Sequence, residues 1–147
     1  MLPNEHKNCN CAVCQHGLEA VEAHEAKCME KYGWYAHCVA EDPDSPTEFN
    51  YHTHGCMVSF NHPDLQIVIP LDAKTLTEIA YNVIKKAATG TKLEDGVELH
   101  GIVHDYPVRL RTARECDRDV LRICLPDIDG LFETSESGNF MLQYQDL

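Results

Sequence analysis

The spacing of apolar side chains divides the chain into segments with different periods. From Cys11 to Tyr32, the residues Leu18, Val21, Cys28 and Tyr32 recur at helical intervals while Glu19, Glu22, Glu25 and Lys27 lie mostly off that stripe, so the pattern predicts an amphipathic helix. Gly33 follows directly and is placed to end it, because the residue after a helix commonly takes positive φ. In Trp34 to Ala40 alternation sets Trp34, Ala36 and Cys38 on one face and Tyr35, His37 and Val39 on the other, as in a strand partly buried on both sides. The proline-containing, acidic segment 41–48 reads as a loop. Phe49 to His54 returns as a strand, with Asn50, His52 and His54 opposite Phe49, Tyr51 and Thr53, and Gly55 then permits a bend.

Leu65 to Ile69 is a short apolar run between Pro63 and Pro70, which fits a central strand. Asp72 can cap a following helix whose buried stripe is Leu76, Ile79, Ala80, Val83, Ile84 and Ala87, ending at Gly90. Val97 to His104, Val108 to Ala113 and Val120 to Leu125 read as strands, and their short links favour antiparallel neighbours. The expected fold is α+β: a mainly antiparallel sheet of about five or six strands with two principal helices packed on it. One domain is expected over 1–147, with a cysteine cluster and helix at 9–32, an α+β core at 33–132 and a tail at 133–147.

Composition narrows the partners. A hydrophobic content of 44% is that of a chain able to build its own core. A formal net charge of −12 opposes phosphate backbones and anionic lipid, so neither nucleic acid nor membrane is expected as a partner. A small molecule or another protein is the partner class left. The arginines at 109, 111, 114, 118 and 122 are interleaved with Glu115, Asp117 and Asp119, which reads as compensated charge on strands. The polar N-terminal stretch carries no apolar run suited to a signal peptide, so a cytoplasmic location is expected and the eight cysteines are expected as thiols.

Two groups of residues carry candidate chemistry. Cys9, Cys11 and Cys14 are spaced Cys-x-Cys-x-x-Cys at a predicted helix start, where three thiolates can converge on a soft cation, zinc first. A closed site needs a fourth ligand, for which His6, His16, Cys28 or a histidine of the sheet is available. The second group is His52 and His54, which share a strand face and can bind a divalent ion or shuttle protons, with His62 as a further ligand and Asp64 as a carboxylate beside them. His52, His54 and Asp64 are accordingly the candidates for metal-assisted hydrolysis around an open coordination position. His37, His100 and His104 alternate with apolar residues and read as ordinary sheet positions. No Gly-x-Ser-x-Gly, His-Glu-x-x-His or Gly-rich phosphate loop occurs, so the residues leave open whether the chain is an enzyme or a non-enzymatic interaction module.

The segments GWYAHCV, FNYHTHG, NHPDLQIVIP and VLRICLPDIDGLF, in that order, resemble a bacterial family known as domain of unknown function 4262. His62, Pro63, Asp64 and Leu65 match its His-Pro-acidic-Leu segment; Thr53 and Gly55 match its Tyr-Thr-x-Gly-Leu segment; Pro126, Asp127 and Gly130 match a late Pro-Asp-x-x-Gly. The chain departs from the pattern at His52, His54 and Cys56, which places the histidine pair in a subgroup. A similar cysteine cluster at the start of some members agrees with metal binding. The resemblance implies a fold and no reaction.

Overall fold

A computed structural model describes residues 16–40, 49–127, 129, 130, 132 and 142–144. Helix α1 (Leu18–Tyr32) leads into strands β1 (Tyr35–Ala40) and β2 (Phe49–His54), a short helix α2 (Cys56–Phe60), and β3 (Leu65–Ile67). Helix α3 (Ala73–Ala88) is followed by β4 (Glu98–Leu99), β5 (Val108–Glu115) and β6 (Arg118–Cys124), and Leu142–Tyr144 forms a 3-10 turn. The six strands make one sheet in the order β1-β2-β3-β6-β5-β4. Every neighbouring pair is antiparallel except β3 with β6, which the passage through α3, β4 and β5 makes parallel. This is the α+β fold expected, with a mostly antiparallel sheet.

One sheet face packs on α3. Leu65, Ile67, Leu110, Leu121 and Ile123 meet Leu76, Ile79, Ala80, Val83 and Ile84 in a single apolar core. Asp72 caps α3 as its sequence position predicts: its Oδ1 accepts from the Thr75 N–H at 2.9 Å. Removing that face from water is the largest stabilising contribution in the fold.

The other face is polar where it should be most buried. Gln66 and Arg122, adjacent on β3 and β6, are buried, and the Arg122 Nε–H donates to Gln66 Oε1 at 2.8 Å. Gln143, fully buried in the 3-10 turn, covers this row: its carbonyl accepts from Arg122 Nη1 at 3.1 Å and its side chain pairs with the Leu125 backbone. Buried polar groups are tolerated in this position because each has a partner.

Three elements differ from the sequence expectation. Within the described residues helix α1 runs Leu18–Tyr32, after Gly17 at φ 87, residues 11–15 of the expected helix lying outside them, and its apolar stripe is not buried: Leu18 and Tyr32 are exposed and Val21 and Cys28 are half-buried. Helix α2 was not legible, because five residues are too few to show a period. Val97 to His104 forms strand only at Glu98–Leu99, since Gly101 at φ 77 and Asp105 at φ 71 turn the backbone out of the extended region.

Candidate metal centre

The antiparallel register of β1 and β2 pairs Tyr35 with His54 and His37 with His52. Directly paired residues point to the same face, so three imidazoles and a phenol gather on the side of the sheet opposite the apolar core. His37, His52 and His54 each offer a ring nitrogen, and those three atoms lie within 4.8 Å of one another. The arrangement can hold a metal ion: three neutral imidazoles on rigid strands are a donor set for a borderline divalent cation.

The rings are in mutual contact. Centroids are 4.9 Å apart for His52 and His54, 4.7 Å for His37 and His54, and 5.5 Å for His37 and His52. Tyr35 stacks on His54 at 5.1 Å and limits its rotation. His54 Nε2 is buried and has no hydrogen-bond partner, which is costly for a ring nitrogen unless something else occupies its lone pair or N–H.

Carboxylates approach from two other parts of the chain. Glu25 of α1 reaches His37, with Oε1 2.6 Å from Nε2. Glu115, at the end of β5, has Oε1 3.8 Å from His52 Nδ1, and Asn50 Oδ1 lies 3.4 Å from the same nitrogen. Burial lowers the pKa of His52 to about 4, reinforced by His54, His37 and Arg118 and opposed by Glu115. Burial also lowers that of His54, with Arg118 and His37 acting in the same sense. Both rings are therefore neutral at pH 7, which leaves each with one lone pair to give to an ion.

The residues singled out by sequence separate into distinct places. His52 and His54 lie in the cluster. Asp64 does not: its carboxylate accepts from Thr53 Oγ1 at 2.9 Å, the Cys56 backbone N–H at 3.1 Å and Arg118 Nη1 at 2.6 Å. Arg118 also donates to Glu115 at 2.7 Å and to the Thr53 carbonyl at 2.9 Å, so Asp64 reaches the histidines only through this guanidinium. His62 is buried elsewhere, stacked on Phe60 at 5.9 Å with Nδ1 2.8 Å from the Pro63 carbonyl oxygen. His100 and His104 are exposed. Cys9, Cys11 and Cys14 lie outside the described residues, as does His6. The arginines have acidic neighbours: Arg109 pairs with Glu98, Arg111 with Asp95 and Arg114 with Asp119.

Sequence reasoning missed His37, Glu25 and Glu115 as members of the site. Parity puts His37 on one strand face with Tyr35 and Val39, and only the hairpin register sets it opposite His52. No local pattern brings Glu25 or Glu115 there.

A family profile described as Domain of unknown function (DUF4262) matches residues 28–136. The chain belongs to that family, and the matched span contains all three histidines. No curated protein and no solved structure matches the chain. Among the described residues no helix is long and apolar enough to cross a membrane.

Proposed function

We propose that the domain binds a divalent transition-metal ion, zinc in the first instance, through His37, His52 and His54. The observation that supports this is the convergence of three ring nitrogens within 4.8 Å on one sheet face. Zinc suits a site of three imidazoles because it has no geometric demand beyond near-tetrahedral ligation and favours neutral nitrogen donors. Three protein ligands leave a fourth position for water or a ligand. The reading is tested by elemental analysis of protein purified under metal-replete, reducing conditions, beside the variant His52→Ala. Bound metal that falls by one equivalent in the variant supports the centre, and equal content in both proteins excludes it. Cys9, Cys11 and Cys14 are proposed from their spacing as a second, structural zinc site, so replacing all three by serine should remove a separate equivalent.

The open fourth position favours a second reading, metal-assisted hydrolysis, in which a bound water is made acidic by the ion. Asp64 and Glu115 are unsuitable bases because Arg118 holds both, so Glu25, the carboxylate beside His37, takes that role in this reading. Turnover of a nitrophenyl ester or phosphodiester by zinc-loaded protein, abolished by His52→Ala, would support it.

A further inference from the structure

Helix α1 is attached to the sheet in an unusual way. None of its residues is buried, its N-cap Gly17 supplies no side-chain hydrogen bond, and its two largest apolar side chains at the ends, Leu18 and Tyr32, face solvent. Apolar burial therefore contributes little to holding it. At its C-terminal end the chain is guided by close backbone packing: Gly33 abuts Ser59, whose Oγ donates to the Gly33 carbonyl at 2.6 Å, and Met29 lies against Gly55. In the body of the helix, among the described residues, the side-chain hydrogen bond to the sheet is that of Glu25 with His37.

A carboxylate accepts and cannot donate, so a 2.6 Å contact between Glu25 Oε1 and His37 Nε2 assigns the ring proton to Nε2. The lone pair of His37 is then on Nδ1. A carboxylate that fixes the tautomer and orientation of a ligating imidazole strengthens its bond to the ion, and the ion in turn makes the N–H a stronger donor to the carboxylate. The two contacts are thus thermodynamically linked through one ring.

We infer that Glu25 is a positioning residue of the three-histidine centre and that, through the Glu25 to His37 hydrogen bond, metal binding and the docking of helix α1 on the sheet are one coupled equilibrium. The inference rests on the metal reading above. It assigns α1 a role that its exposed apolar stripe does not supply: the helix docks on the sheet through a polar tether that tightens when the ion arrives.

Cobalt(II) is the probe, because its visible absorption reports the number and kind of ligands while its uptake reports affinity. Wild type, Glu25→Gln, Glu25→Asp and His52→Ala are titrated with the metal alone, and amide exchange over residues 18–32 is followed with and without it. In wild type, cobalt should slow exchange across α1. Glu25→Gln should bind cobalt roughly ten- to a hundredfold more weakly with an unchanged absorption band, since the ligands stay the same. It should lose the metal-dependent protection of α1, and Glu25→Asp should restore part of both effects. Uptake that depends on His52 but is indifferent to Glu25→Gln overturns the coupling alone. A changed absorption band in Glu25→Gln also overturns it, because Glu25 would then be a ligand. Wild-type protein whose α1 exchange is untouched by bound cobalt overturns it without recourse to any variant. Cobalt uptake that is the same in wild type and His52→Ala overturns the centre itself, and the coupling with it.

Discussion

His37 and His52 are partners across β1 and β2: their Cα atoms pair in the antiparallel register, and their rings meet edge to face at 84° with centroids 5.5 Å apart. His54 completes the triangle from the next position on the same face. A proton on one of these imidazoles repels a proton on the next. Burial keeps His52 and His54 neutral in the metal-free protein at pH 7, and an ion between the rings uses the lone pairs that neutrality provides.

A dependence of stability on pH follows. The folded state holds His52 at about 4, below the value near 6.5 of a free imidazole, and His54 is lowered as well. Between those values the unfolded chain binds more protons than the folded one, so stability rises with pH through this window and is lost as acid is added. Metal-free protein should show a lower urea midpoint at pH 5 than at pH 7, and His52→Ala should flatten the difference. An equal or higher midpoint at pH 5 contradicts the burial of neutral histidines. The carboxylate Glu115 acts in a lower range: burial pushes its pKa up, but Arg118 and His52 outweigh this and leave it below the usual value, so its contribution is full above the ordinary carboxylate value and is lost as pH falls from there through the folded one.

Arg118 links the two carboxylates beside the site, donating to Glu115 at 2.7 Å and to Asp64 at 2.6 Å. Arg118→Ala leaves two mostly buried anions without their counter-charge, and should cost about 2–4 kcal/mol of folding stability at pH 7. The substitution Arg118→Lys should recover less than half, because an ammonium cannot serve both carboxylates and the Thr53 carbonyl in the same planar geometry. Denaturation midpoints measure both, and a change within 0.5 kcal/mol (roughly the range of neutral surface substitutions) would remove the network from the account.

Cysteine reactivity should divide by burial. Cys56 is fully buried, and its thiol, pushed up to about 12 chiefly by burial, contacts the Thr53 hydroxyl at 3.3 Å. Cys124 is also fully buried, whereas Cys38 and Cys116 are exposed. Brief alkylation of native protein, read by mass spectrometry, should label Cys38 and Cys116 and spare Cys56 and Cys124 until denaturant is added. Early labelling of Cys56 would mean that the α2 region opens far more easily than its packing implies.

Much of the fold could be read from the chain because its signals are local. The Asp72 cap, the stripe from Leu76 to Ile84 and the alternation of Phe49 to His54 each announce an element without reference to distant residues. The site was legible only in part. Strand parity puts His52 beside His54, but the third imidazole comes from a different strand, and its placement depends on hairpin register, which the loop between them does not encode in any simple pattern. Asp64 follows the opposite logic: closeness in sequence to the histidine segment suggested a shared site, while a guanidinium from 54 residues away determines its partners. Helix α1 misled for a related reason, since an apolar stripe predicts burial only if a partner surface exists, and here the sheet offers it a polar face.

The most direct test of the metal centre is an anomalous-scattering map, collected at the zinc edge, from crystals of the full chain grown with zinc present. A peak is expected about 2.0–2.1 Å from one ring nitrogen each of His37, His52 and His54. Zinc bound elsewhere, with no peak between these three rings, would contradict it.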